Sequence, residues 1–371
     1  MSVRKSLSVV EGGVKIDVYE GVFYNPRAKM NRSIGVLFLK SLGDRKNLRV
    51  LDGLSGTGVR GIRYLLESDY VSEVILNDRS YLAYQNILHN LRINNVISGF
   101  EVYREDVVVL SSMLKSVGVD VIDLDPFGSP QRYLPSAVYA LNGKGYLMYT
   151  ATDLMTLCGV VEDSLWKIYG VNYVRNDFCH EIAIRILIKE GVLQAAKLGF
   201  SARPVFASFD NHYIRVFLEF SRRRGSLDSK DIGYLVMDED GWSIVSFKEM
   251  KSGEISGRVI GPIWIGSYID VSLLDRMVDV MSNVPWSDNN LKSFIMRIAQ
   301  DDTSIPIIYR LSSLCRRLRV RMPSINELRD AIEGLGYRFS RSYLYYDGFR
   351  TDASIGEVVK IVLSLSSEQE S

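Results

Sequence analysis

The residues best suited to chemistry close an apolar run, Val119-Asp120-Val121-Ile122-Asp123-Leu124-Asp125-Pro126-Phe127-Gly128-Ser129-Pro130. A β-branched strand that ends in an acid, a proline and an aromatic ring turns its last residues into the edge of a sheet. Such a turn offers what an exocyclic amine on a planar base needs. The Asp125 carboxylate can accept one N–H, a backbone carbonyl at Leu124 or Pro126 can accept another, and the Phe127 ring can hold the base. Asp123 reads as structural, because its side chain points opposite to those of its strand neighbours.

A second candidate lies upstream, in Val50-Leu51-Asp52-Gly53-Leu54-Ser55-Gly56-Thr57-Gly58-Val59-Arg60-Gly61. Here a strand meets a glycine-rich turn that opens a helix. Its glycines, among them Gly53 and Gly56, let the backbone turn sharply and approach a ligand closely; Asp52 and Ser55 beside them are further cofactor-binding candidates. The helix start adds the positive end of a dipole. In a dinucleotide enzyme this loop faces a pyrophosphate; in an adenosylmethionine enzyme it faces the amino-acid moiety. Asp78 ends the next strand, where a ribose-binding acid sits in doubly wound sheets. Capping of the following helix by Asp78 is compatible with that role. Asp106 ends a third strand, where an acid can accept from an adenine amine. Acids at successive strand ends gather at the carboxyl edge of one sheet, where open α/β sheets bind ligands.

The elements that must position these residues follow from periodicity. Strands are predicted at 49–51, 74–76, 101–103, 119–124 and 145–150, with helices at about 59–67, 80–93 and 133–141 between them. That alternation reads as a parallel sheet covered by helices on both faces. A hairpin around Gly12-Gly13 precedes it, and Asn31 and Ser33 are expected to cap a helix running to about Ser41. A helix at 181–197 and a strand pair at 203–209 and 213–220 close the sheet. The run Ser221-Arg222-Arg223-Arg224-Gly225-Ser226 marks the expected boundary between a catalytic domain, 1–222, and a smaller α+β domain, 223–371. Beyond it a hairpin is expected around Asp238–Gly241. Helices are expected at about 273–282, 290–299 and 307–318, then one opened by Pro323-Ser324 and a strand from Tyr337. A length of 371 residues suits two domains.

Composition narrows the class. A net charge of +1 and 24% charged residues fit a globular protein with no global attraction to nucleic acid. Cys158, Cys179 and Cys315 form no CxxC pair, so neither a disulfide framework nor a sequence-local metal cluster is expected. Cys158, Cys179 and His180 read as packing residues. No secretory signal and no membrane span is expected, which points to the cytoplasm. Between Arg310 and Arg350 stand nine arginines, no lysine and four acids, a local charge of +5 with Tyr337, Phe339, Tyr343, Tyr345 and Tyr346 interleaved. Arginine with aromatics suits RNA; a solvated helix face over a tyrosine-rich core is the plain alternative. Arg222–Arg224 reads equally as a second RNA strip or a charged linker.

At this point the chain resembles the tRNA guanine-26 N2-dimethyltransferases, most closely the shorter archaeal type. The matching stretches include Val22-Phe23-Tyr24-Asn25-Pro26-Arg27 with Asn31-Arg32, the glycine loop through Arg63, Leu76-Asn77-Asp78 and Asp123 to Pro130. They continue with Thr150-Ala151-Thr152-Asp153, Leu157-Cys158-Gly159, Cys179-His180-Glu181, Gly261 to Gly266, Pro323-Ser324-Ile325, Gly336-Tyr337, Ser340-Arg341 and Thr351-Asp352-Ala353. The resemblance implies a Rossmann-like class I methyltransferase fold that moves methyl groups from S-adenosylmethionine to N2 of guanine 26 in tRNA. It implies cofactor contacts at Arg32, Arg60, Asp78, Asp106 and the backbone near Val107. Asp125, Pro126 and Phe127 would form the target-base turn, and Phe23 a second aromatic wall; from the sequence alone Phe23 reads equally as core. Some relatives carry four cysteines in the C-terminal part; the corresponding stretch, Gly233 to Gly261, has none, so no zinc is carried across. The rival readings are a methyltransferase acting on adenine N6 or another guanine, a nicotinamide oxidoreductase and a catalytically silent RNA-binding protein.

Overall fold

The computed structural model describes residues 5–43, 45–222, 231–237, 242–252 and 257–367. A hairpin of β1 (Lys5–Glu11) and β2 (Val14–Tyr19) leads to α1 (Lys29–Lys40). Then β3 (Leu48–Asp52), α2 (Val59–Glu67), β4 (Val71–Asn77), α3 (Tyr81–Ile93), β5 (Phe100–Tyr103), α4 (Val107–Leu114) and β6 (Val119–Leu124) alternate. The chain continues through α5 (Leu134–Ala140), β7 (Leu141–Ala151), α6 (Leu154–Leu157), α7 (Glu162–Tyr169) and α8 (Cys179–Lys197) to β8 (Ser201–Asp210) and β9 (Tyr213–Ser221).

Seven strands form one sheet in the order β5-β4-β3-β6-β7-β9-β8. The strands from β5 to β7 run parallel, and β9 is antiparallel to both β7 and β8. This is the α/β sheet expected from the sequence. Strands covered on both faces must be apolar throughout, and Val50, Leu51, Val74, Ile75, Leu76, Val121 and Ile122 are all buried. Chain order reverses between β3 and β6, so the loops after Asp52 and Leu124 diverge there. That divergence opens a crevice at the carboxyl edge.

The hairpin is docked on α3 by three asparagines. Asn86, Asn90 and Asn94 accept from the backbone N–H groups of Tyr19, Asp17 and Lys15 at 3.1, 2.9 and 2.9 Å. A helix advances about 6 Å over four residues and a strand about 6.8 Å over two, so the two series stay in register.

The expected caps of α1 are corrected. Asn25 accepts from the Arg27 N–H to open a short 3-10 turn at Pro26–Ala28, and α1 follows from it. Asn31 and Ser33 lie inside the helix, buried, where their side chains serve Arg60 and Arg63.

The remainder adds β10 (Ile232–Met237), β11 (Trp242–Ser246), α9 (Phe247–Ser252), β12 (Arg258–Trp264), α10 (Val271–Asn283) and α11 (Asn289–Ala299). It ends with β13 (Tyr309–Arg310), α12 (Leu311–Leu318), α13 (Ile325–Gly334), β14 (Phe339–Arg341), β15 (Gly348–Thr351) and α14 (Ile355–Ser367). The strands form two three-stranded sheets, β11-β10-β12 and β13-β15-β14. The tip of the expected hairpin at 238–241 lies outside the described residues, as do Arg223 and Arg224; the flanking β10 and β11 pair antiparallel. The helix predicted at 307–318 starts only at Leu311, because Tyr309 and Arg310 pair with β15. Ser324 and Glu327 make the expected capping box at α13.

One apolar core runs from Val14 to Tyr343, and a smaller one joins α12, α13 and α14. A buried charge network ties the last strand to α8. Arg350 donates to both carboxylate oxygens of Glu181 at 2.9 Å and to Asp301 at 2.5 Å, and Arg185 donates to Glu181 at 2.7 Å. Arg350 therefore leaves the arginine set that could meet RNA, and Tyr343 is core. Among the described residues no helix is long and apolar enough to cross a membrane.

Candidate active site

A cavity of about 330 Å³ opens at the crevice between β3 and β6. Its lining brings together Asp125, Pro126 and Phe127 from the turn after β6, Leu54 and Gly56 from the glycine loop, and Asp78 from the end of β4. Phe23 and Arg32 come from the segment before α1 and from α1 itself. Thus seven of the residues singled out in the sequence share one wall-to-wall site.

The turn after β6 is fixed from its neighbour β7. Thr152 Oγ1 accepts from the Gly128 N–H at 2.7 Å, and the Thr152 N–H donates to Gly128 O at 3.0 Å. Gly128 sits at φ 74°, a conformation that suits glycine. Phe23 and Phe127 are 57% and 77% exposed, and their rings meet edge to face with centroids 4.7 Å apart. The expectation of two opposed walls is sharpened: the rings touch, and no slot stands between them.

Behind the turn lies a buried ionic network. Arg60 Nη2 donates to Asp125 Oδ2, and Nη1 donates to Asp123 Oδ2 at 3.2 Å and to Asn31 Oδ1 at 2.9 Å. Arg215 grips both oxygens of Asp123 at 2.7 and 2.6 Å, and the Tyr64 hydroxyl donates to Oδ2 at 2.5 Å. Asp123 is structural, as its place in the strand suggested. Burial pushes its carboxyl up, but Arg215 and Arg60 outweigh that and hold it below the usual carboxylate range. Asp52, also fully buried, accepts from the Gly61 N–H at 3.0 Å. Burial raises its carboxyl to about 7; nearby Arg60 pulls the other way, while Asp123 adds to the rise.

The glycine loop is held by a residue the sequence reading gave no role. Asn77 Nδ2 donates to Gly53 O at 3.0 Å and to Glu105 O at 3.1 Å, and Asn77 N–H donates to Ser55 Oγ at 3.0 Å. Ser55 in turn donates to Asp52 O at 2.8 Å. Gly53 packs so closely that a Cβ would lie 2.8 Å from Val107 and 3.0 Å from Leu124. Asp78 Oδ2 accepts from the Gly56 N–H at 3.0 Å, and Oδ1 from the Ser80 N–H at 2.8 Å.

Asp52, Gly53, Ser55, Arg60, Asp106 and Val107 stand outside the cavity lining. Asp106 caps α4 by accepting from the Val108 N–H, and Val107 is buried at the first position of that helix. Arg32 spends two nitrogens on Glu11, with Nε 2.7 Å from Oε1, and Glu11 also accepts from Arg63 at 3.0 Å and Tyr24 at 3.1 Å. Burial pushes Glu11 up, yet Arg32 and Arg63 bring it below its usual value. Glu11, Thr150, Thr152, Tyr133, His212 and Tyr213 were missed as site residues. For Thr150 and Thr152 the available signal was the Thr-Ala-Thr-Asp stretch itself; the others meet the site only through long-range contacts.

A family model described as N2,N2-dimethylguanosine tRNA methyltransferase matches residues 4–363. The chain belongs to this family. It is similar to the tRNA (guanine(26)-N(2))-dimethyltransferase of Pyrococcus abyssi, 32% identical over 386 residues, covering 96% of this chain and 99% of the relative. It is similar to that of Pyrobaculum islandicum, 33% identical over 345 residues, with 92% of each covered. Among solved structures it matches Trm1 from Pyrococcus horikoshii in complex with S-adenosyl-L-methionine, with a TM-score of 0.88 and 28% identity over 96% of this chain and 100% of that one.

Proposed function

We propose that the protein methylates the exocyclic N2 of guanine 26 in tRNA, once and then a second time, with S-adenosyl-L-methionine as methyl donor. The observation that carries this reading is the shared cavity: a base-sized turn, Asp125 to Phe127, opens onto the same space as Gly56 and Asp78. The donor set fits the cofactor. Asp78 has carboxylate lone pairs left for ribose hydroxyls, since it accepts only two backbone bonds. Gly56, at φ 53°, presents bare backbone where a Cβ would come within 3.1 Å of Phe23 O. Asp106 and the backbone at Val107 are assigned to the adenine, and Arg32 to the cofactor side of the cavity. When bound, the cofactor supplies an electrophilic sulfonium methyl.

The chain's own residues do the rest. The guanine N2 lone pair is delocalised into the ring, so the amine needs orientation and electron donation. Asp125 accepts one N2–H, and a carbonyl of Leu124 or Pro126 accepts the other while two hydrogens remain. Preorganised acceptors of this kind lower the barrier as positive charge develops on nitrogen. The proton leaves to Asp125 or to water. Arg60 acts through Asp125 as a positioning residue, which changes its role from the cofactor contact that the resemblance implied. One of the exposed rings, Phe23 or Phe127, rotates to admit the base, and stacking offsets part of the cost of extruding it.

Residues 223–371 are assigned to tRNA grip through the exposed Arg316, Arg317, Arg319, Arg321 and Arg341. Work on tRNA assigns the protein to the cytoplasm. Incubation with unmodified tRNA and labelled cofactor, followed by nucleoside analysis, tests the reading. N2-methyl- and N2,N2-dimethylguanosine at position 26 are expected; methyladenosine or no transfer overturns it.

A further inference from the structure

Twenty residues of sequence separate Cys158 from Cys179, and spacing alone gave no reason to join them. The fold does so. Cys158 ends α6, which follows β7 and the Thr150–Thr152 wall of the active-site cavity; Cys179 and His180 open α8. The two sulfurs and a ring nitrogen of His180 all lie within 4.8 Å of one another. We propose that Cys158, Cys179 and His180 bind a soft divalent cation of the zinc class, with two thiolates and a neutral imidazole as ligands.

The geometry is close to what such an ion takes. Thiolate sulfurs about 2.3 Å from a tetrahedral zinc stand roughly 3.8 Å apart. Donors already within 4.8 Å reach that separation by small side-chain torsions. The site is half-buried and neutral when filled, because two thiolates cancel the ion's charge. The groups that face it agree with this. Tyr173 packs on Gly159, the neighbour of Cys158, so closely that a Cβ there would lie 2.2 Å from its ring. Tyr345 places its hydroxyl 3.2 Å from His180 Nδ1 and accepts from the His180 N–H at 3.3 Å. With Nε2 as the ligand atom, this hydroxyl is the outer contact that orients the histidine. The other face of the imidazole stacks on Phe209, with centroids 4.0 Å apart. Arg310 lies over the Tyr345 ring and is neutralised by Asp347.

The set is distinct from a four-cysteine cluster in residues 233–261, where this chain has no cysteine. Three protein ligands leave one position for water. Binding releases two thiol protons to solvent, forms two S–metal bonds and one N–metal bond, and ties the end of α6 to the start of α8. No electron transfer is involved.

The full-length protein, stripped with a chelator and titrated with zinc alone, tests the assignment. Retention of one equivalent after desalting is expected, with release of about two protons. Zinc should block alkylation of Cys158 and Cys179, read by peptide mass spectrometry. Cys158→Ser and Cys179→Ser should lose the retained metal, while Cys315→Ser keeps it. The protection assay on the unaltered chain stands even where a variant folds poorly. Absence of retained zinc, undiminished retention in both serine variants, or alkylation of both thiols at the same rate with zinc overturns the site. Metal content is independent of methyl transfer, so this result and the functional one fail separately.

Discussion

Arg60 on α2 bonds the carboxylate of Asp125, at the mouth of the cavity, and with the same guanidinium bonds the buried Asp123 behind it. The side chains are 5% and 26% exposed, so a buried cation holds a carboxylate that lines the cavity. A single planar fork fixes the acceptor of the target turn to the strand that carries it.

Arg60→Met removes the cation between two acids. A fall in kcat of about a hundredfold is expected from a displaced acceptor, with stability lowered by about 3–5 kcal/mol for the buried charge left behind. Arg60→Lys should recover stability better than rate, because an ammonium cannot reproduce the fork. Denaturant unfolding and single-turnover kinetics separate the two. Equal recovery of both would leave Arg60 a merely structural residue.

Asp125 and Phe127 were legible because a strand, its terminal acid and its turn are contiguous in sequence. The sheet was legible for the same reason: each strand announces itself by an apolar run. Arg60 was singled out in the sequence but its ion pairs were not legible there, since its partners lie 63 and 65 residues away. Glu11 reads as a polar residue ending a hairpin strand; only the docking of that hairpin buries it against Arg32 and Arg63. Asn31 and Ser33 have good cap chemistry, but the Asn25-Pro26 start captured the helix three residues earlier. Arg350 shows the limit of charge patterning: among nine arginines, nothing local marks the one that the core absorbs.

The exposed pair Phe23 and Phe127 is proposed to carry the base. Replacing either by alanine should cost about 1–3 kcal/mol of base capture, about 5- to 150-fold in kcat/KM for tRNA. Thermal stability and cofactor affinity should stay close to those of the parent, because neither ring belongs to the core. Unchanged kcat/KM in both variants would remove the aromatic role.

Asp78 lines the cavity and already orders the glycine loop. Asp78→Asn should weaken S-adenosyl-L-methionine binding by about 1.5–3 kcal/mol, the scale of charged hydrogen bonds, roughly 10- to 150-fold by calorimetry. Cofactor affinity within twofold of the parent would place the ribose elsewhere.

Asp52 gives a pH signature. Its folded value of about 7 lies above the unfolded 3.8, so between these values the folded state holds the extra proton. Stability from this group is present at low pH and is lost as pH rises from about 4 to 7. Its slope is about 1.4 kcal/mol per pH unit within that window. Asp52→Asn removes the titration, so the variant should gain on the parent across that range in paired denaturant melts. Parallel curves would refute the buried, protonated carboxyl.

Asp125 is the proposed acceptor of the target amine. The most direct measurement is single-turnover methyl transfer to unmodified tRNA by the parent and by Asp125→Ala, with cofactor and tRNA affinities measured alongside. A loss of at least a hundredfold in rate is expected, as for removal of one preorganised group, with both affinities changed less than tenfold and N2-methylated guanosine 26 formed only by the parent. Turnover by Asp125→Ala near that of the parent would remove Asp125 from this role.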